Sequence, residues 1–260
     1  MTAAPAPADA PVRLGEVIII GGGCYGTFYA RQLAQAKRRG RAEFARLLVV
    51  DRDPDCRARR ELGEGEDRRL VVADWAGFLD DYLAQAAVRR RSAPTGPVED
   101  VIVPSPLMPH LLYEWLVRRA RARWPGREIA TAPMPLDPGT PYDAAAPDGT
   151  RFVSFADWLC PTHCIEPAIC PVIRSPRTWE MSDRLAELVR RLDRRRPTVG
   201  PVLFVTRHRA FGVGDFPVAS VLAGDELVAD AGRSGDPVDV LVGTISACHG
   251  AVSLLRLGAA

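Results

Sequence analysis

The sequence predicts an α/β protein built on a doubly wound, mostly parallel sheet, with a cysteine-containing loop insertion. Three observations predict it. Apolar runs of strand length alternate with helix-length stretches, the order that lays parallel strands beneath covering helices. The first of those runs ends in Gly21-Gly22-Gly23-Cys24-Tyr25-Gly26, a tight strand-to-helix turn. Residues 125–180 then break the alternation with many Pro and Gly and three of the six cysteines.

Taken in order, residues 16–20 form the first strand and 25–38 the first helix. Residues 47–50 make a second strand that ends at Asp51. A third strand at 70–73 precedes a helix over 75–89, and Asp74 stands where it would cap that helix. Residues 100–103 are the fourth strand, followed by a helix over 109–124 with Pro109 in its first turn, where no amide bond is lost. After the insertion a helix over 182–195 begins at Ser182 and carries Leu185, Leu188, Val189 and Leu192 as one apolar stripe. Strands at 202–205 and 238–242 and a last helix over 248–257 close the pattern. The organisation expected is a disordered Ala/Pro-rich tail at 1–12, a first half at 13–124, an insertion at 125–180, and a second half at 181–260 that completes the sheet.

Composition narrows the function classes. At 260 residues and 47% hydrophobic the chain can bury a sizeable core, and a net charge of +2 gives no bulk basicity for nucleic acid. Lys37 is the sole lysine, so arginine supplies nearly all positive charge. Arginine runs at 89–91 and 194–196 sit where helices end, where cations offset the helix dipole. The start of the chain lacks the features of a secretory signal, and no run approaches the roughly 18 apolar residues of a membrane span. A soluble, cytoplasmic protein is therefore expected, whose cysteines serve as thiols, metal ligands or redox groups.

Gly21, Gly23 and Gly26 fit the G-x-G-x-x-G spacing. The first permits the turn, the second lets backbone amides approach a pyrophosphate, and the third lets helix and strand pack closely. Gly22 and Tyr25 complete the turn, and the phosphate would rest on the helix N-terminus. Asp51 stands where an acid accepts from a ribose hydroxyl, and Asp74-Trp75 where an adenine partner is found. On these residues, 16 to about 124 resemble an NAD(P)-binding Rossmann domain of the broad superfamily that includes dehydrogenases and TrkA-type nucleotide-binding domains. The resemblance implies a Rossmann-like fold and a dinucleotide. Within it Asp51 favours NAD, while Arg52 leaves NADP open because a guanidinium can hold a 2′-phosphate. S-adenosylmethionine is a further ligand that Asp51 would suit.

Cys160, Cys164 and Cys170 fall within eleven residues of loop, with His163 among them. Thiolates gathered in a loop suit Zn²⁺ or an iron–sulfur cluster, and Cys248 or His249 offers a further ligand. The C-x3-C-x5-C spacing matches neither a zinc knuckle nor the common ferredoxin run, so both metals stay open. Arg207 and His208, in a basic loop after the strand at 202–205, are candidates to orient an anionic small-molecule substrate and to move a proton. In open α/β sheets ligands bind outside the carboxyl ends of the strands, which would gather all these groups on one edge. The function expected is an NAD(P)-dependent oxidoreductase with a metal centre near the nicotinamide end. A nucleotide-sensing protein with a structural metal is the competing reading, since no paired acid and base or Tyr-x3-Lys arrangement appears. Neither nucleic acid nor membrane is an expected partner; a homodimer or a redox partner protein is left open.

Overall fold

The computed structural model describes residues 10–92, 98–161 and 164–260. The expected tail at 1–9 and the candidate His163 lie outside the described residues, and the chain is already in its first strand at Val12. In chain order the elements are β1 (Val12–Ile20), α1 (Cys24–Arg38), β2 (Ala42–Asp51), α2 (Arg57–Leu62), β3 (Arg68–Val72), α3 (Trp75–Ser92), β4 (Glu99–Val103), α4 (Leu111–Arg123) and β5 (Ile129–Ala132). There follow β6 (Tyr142–Ala145), β7 (Arg151–Ser154), α5 (Met181–Asp193), β8 (Thr198–Val205), β9 (Arg207–Ala210), β10 (Val213–Pro217), α6 (Val218–Ala231), β11 (Val238–Ile245) and β12 (His249–Leu257). They fall into two compact units: Met1–Pro106 with Arg207–Ala219, and Leu107–Thr206 with Ser220–Ala260.

The first unit is a sheet in the order β3-β2-β1-β4-β10-β9. Its first four strands are mutually parallel. β10 runs antiparallel to β4, and β9 antiparallel to β10. The strand order reverses beside β1, with β2 and β3 on one side and β4 on the other. Val17, Ile18, Ile19 and Ile20 are all buried, as are Val101, Ile102 and Val103. Strands covered on both faces read as unbroken apolar runs, which is why they stood out in the sequence. α1 turns Ala30, Leu33 and Ala36 into one cluster with Val17, Ile19, Leu47 and Val49.

The second unit is a sheet in the order β6-β7-β12-β11-β8, with β5 also paired to β12. β11 is antiparallel to β12 along its whole length and parallel to β8. α5 buries Leu185, Leu188, Val189 and Leu192 against Leu241, Val252 and Leu254, so the stripe read from the sequence is the face that packs.

The single sheet expected from the sequence is corrected to two. The place beside β4 is taken by β10, which runs antiparallel, and β8 and β11 pair with each other in a sheet of their own. The one strand edge that was to gather every polar cluster is therefore two edges of two sheets. The stretch at 125–180, expected without structure, contains β5, β6 and β7, each four residues long and too short to show a period. Residues 249–257 form β12 and not a helix. Ala251, Val252, Ser253, Leu254, Leu255 and Leu257 are all buried, which erases the two-residue alternation that marks a strand. α4 starts at Leu111, after Pro109, and α5 starts at Met181 with Glu180 at its cap position and no side-chain capping bond, so Ser182 is not the cap. The basic loop at 206–214 is the hairpin β9–β10. No helix among the described residues is long and apolar enough to cross a membrane.

Candidate functional site

Each unit carries one cluster. In the first, the glycine turn leads from β1 into α1. Gly21 takes φ +89°, a region glycine enters without cost, and its N–H donates to Val50 O at 2.8 Å. A Cβ on Gly26 would lie 1.8 Å from Gly21 O and 3.3 Å from Ile19 Cγ2, so the helix meets the strand only because that side chain is absent. A Cβ on Gly23 would meet nothing within 4 Å. Gly23 is also the N-cap of α1 and provides no side-chain capping bond, so amides of the first turn stay available to an incoming acceptor.

Asp51 closes this turn. Its Oδ2 accepts from Gly22 N at 2.6 Å and its Oδ1 from Asp53 N at 2.9 Å, and each oxygen keeps a second lone pair for another donor. Asp74 Oδ2 accepts from Ala76 N at 3.0 Å and Gly77 N at 3.1 Å, the capping role. Trp75 lies within 3.7 Å of the place a Gly21 Cβ would take, and its Nε1 is buried without a partner. Cys24, Tyr25 and Arg52 are exposed beside the turn. Cys56, to which the sequence gave no role, is buried under Gly22: its Sγ would lie 2.3 Å from a Cβ there, and Ala58 N donates to Gly22 O at 2.8 Å.

In the second unit Cys160, Cys164, Cys170 and Cys248 line one small cavity, together with Trp158, Glu166, Arg177 and His249. Cys248 reaches it from the tip of the β11–β12 hairpin, whose turn is closed by Ser246 N donating to His249 O at 2.8 Å. The tip is stitched to the loop. Phe155 N donates to Cys248 O at 2.8 Å, and Ala247 N to Glu166 Oε2 at 2.8 Å. Cys170 opens a tight turn in which Arg174 N donates back to its carbonyl at 2.9 Å, and Glu166 N donates to Cys164 Sγ at 3.3 Å. Glu166 itself sits at φ +53°, and such strain in a non-glycine residue persists only where the surroundings enforce it.

The cavity's electrostatics are those of crowded thiols. Burial pushes Cys248 up to about 11, and Glu166 adds to the shift, while the Trp179 N–H and Arg177 oppose it. Cys160 is raised by burial and then by Cys164 and Cys170 beside it, with the Trp158 N–H opposing. Trp179 Nε1 donates to Cys248 Sγ at 3.4 Å. Cys160 is exposed and Cys164, Cys170 and Cys248 are half-buried, and four thiols gathered in this way are a donor set of the kind soft metals take. Among the described residues no three His, Cys, Asp or Glu side chains close on a single ion; the thiols form the wall of the cavity. His249 is more than half exposed, with Nδ1 3.9 Å from Glu166 Oε1. Glu166 and Trp158 were missed in the sequence. Their only signal there is position, inside or beside the cysteine run.

Arg207 and His208 lie on β9 in the first unit. Arg207 Nη1 is 3.5 Å from Glu99 Oε2, while Arg209 pairs with Glu99 at 3.3 Å and with the buried Asp215 at 2.6 Å. His208 Nδ1 is buried without a partner. His110 is buried in the second unit, and not on the surface. Its Nδ1 bonds Thr244 Oγ1 at 2.9 Å, its ring stacks on Tyr113 at 4.6 Å, and it makes no capping bond to α4.

A family model described as "Uncharacterized protein, C-terminal domain" matches residues 112–258. No curated protein and no solved structure matches the chain.

Proposed function

The chain belongs to that family, AF_1314_C, and from this premise we propose that it is an NAD(P)-dependent oxidoreductase with a thiolate-ligated metal centre, iron–sulfur or zinc. The family's description carries no activity, so the reading rests on the two clusters. One observation carries it: the glycine turn is built as a phosphate cradle, tight at Gly21, closely packed at Gly26 and open at Gly23. The parallel order β3-β2-β1-β4, reversing beside β1, supports a Rossmann-like doubly wound first unit, because ligands bind at the point of reversal.

In this reading the amides of α1 and Gly23 hold the pyrophosphate, and Asp51 accepts from the ribose while it keeps Gly22 in place. Cys160, Cys164, Cys170 and Cys248 hold the metal, and His249 stands at the rim. Arg207 and His208 remain the candidate groups for an anionic substrate. When bound, the dinucleotide supplies hydride chemistry and the metal one-electron or Lewis-acid chemistry. A nucleotide sensor with a structural metal is the second reading. It is favoured by one observation, that Arg207 and Arg209 already face carboxylates of their own unit.

Calorimetric titration of the full chain with NAD(H), NADP(H) and S-adenosylmethionine tests the proposal. One dinucleotide site per chain, weakened at least tenfold in Asp51→Ala, is the expected result. Heat with S-adenosylmethionine alone, or with none of them, refutes it.

A further inference from the structure

Each thiol of the cysteine loop stands beside an exposed apolar side chain: Leu159 before Cys160, Ile165 after Cys164, and Ile169 before Cys170. Leu159 is 96% exposed, Ile169 62% and Ile165 55%, and Val172 and Ile173 are exposed just beyond them. Cys160, Cys164 and Cys170 line one small cavity, and consecutive Cα atoms are only about 3.8 Å apart, so these neighbours form a collar around its mouth. The collar is not scattered surface hydrophobicity. Among the described residues every exposed isoleucine lies in this loop.

The backbone holds the collar in a fixed frame. Arg177 N donates to Ala168 O at 2.8 Å and Cys170 N to Ser175 O at 2.9 Å, while Ile169 bridges Pro176, so 168–177 is a closed hairpin with Val172 and Ile173 in its turn. A surface ordered in this way loses little freedom on docking. Residues 158–176 carry one acid, Glu166, and one base, Arg174, and Glu166 is turned inward to Ala247 N. With no net charge the collar selects neither an oppositely charged partner nor an anionic headgroup, and it meets a copy of itself without repulsion. Leu159, Ile165, Ile169, Val172 and Ile173 together expose on the order of 500 Å², so two collars face to face would bury about 1,000 Å², the least a specific interface needs.

We propose that the collar is a self-association surface, through which two copies of the chain meet across a two-fold axis, cysteine loop to cysteine loop. A single copy leaves the cavity open where Cys160 is exposed, and the second copy roofs that mouth. The thiol site is therefore sheltered from water only in the pair. This holds whatever the cavity contains, and it does not depend on the oxidoreductase reading.

Sedimentation velocity of the full chain over a wide concentration range tests it, with reductant present so that no disulfide between copies imitates the contact. A reversible dimer is expected. Leu159→Asp and Ile169→Asp each set a carboxylate in the collar and should weaken the dimer at least tenfold, whereas Leu227→Asp, at an exposed apolar position on α6, should leave it intact. A monomer at every concentration overturns the proposal, as does a dimer that both loop variants keep at wild-type strength. Wild type that stays monomeric yet sediments with phosphatidylcholine vesicles overturns it in favour of a lipid surface. Hydrogen exchange of the wild-type chain needs no variant: amides of 168–177 should exchange more slowly above the dissociation constant than below it. Equal exchange in that hairpin at both concentrations places the contact elsewhere and overturns the proposal.

Discussion

Gly23 and Gly26 lie three positions apart in one motif and do different work, which makes them separable by experiment. Gly26 faces Gly21 O across a gap no Cβ fits, so Gly26→Ala should destabilise the chain by about 3 kcal/mol, read as a lower urea midpoint. Gly23 faces open space at φ −73°, a backbone alanine tolerates. Gly23→Ala should therefore keep the wild-type midpoint and lose dinucleotide affinity by at least tenfold, about 1.4 kcal/mol, in a fluorescence titration. Equal loss of stability in both variants would contradict this division. These roles were legible in the sequence because each depends on a missing side chain at a known spacing. The link from Gly22 to Cys56 was not, since a close approach between distant residues leaves no local trace.

Among the elements, α4 depends on polar groups that its own periodicity does not reveal. His110, just before it, is held down to about 3, chiefly by burial, with Asp148 pulling weakly the other way. The unfolded chain takes up this proton near pH 6.5 and the folded chain refuses it until about pH 3, so its contribution is intact above that window and lost as pH falls. Stability should fall by about 1.4 kcal/mol per pH unit on this account alone. Denaturant midpoints measured from pH 7 to pH 4 should show that slope, and His110→Leu should flatten it by one proton. Beyond α4, the buried Arg127 donates to Gly258 O, to Asp236 O and, at 2.8 Å, to Gly232 O, with the Trp124 ring beside it at 5.3 Å. Arg127→Met strands three carbonyls and should cost about 3 kcal/mol in thermal or denaturant unfolding. Helices with one apolar face, such as α5, were legible in the sequence. β12, covered on both sides, and α6, apolar through most of its length, carry no alternation and were misread or missed.

At the scale of the whole molecule, two sheets take the place of the one the alternating pattern suggested. Nothing local in β8 or β11 marks which strand will pair with it; that choice was made when β10 returned to lie antiparallel on β4. The cysteine loop was legible as a donor set, and its fourth thiol was named from the sequence, although on a helix that proved to be a hairpin tip. Glu166 and Trp158 emerge only once the chain is folded around them. The measurement that bears most directly on the account is metal content per chain in Cys248→Ser, beside wild type and Cys24→Ser. Loss of most of the metal in Cys248→Ser, with Cys24→Ser fully loaded, is the predicted result. Full occupancy in Cys248→Ser would contradict it.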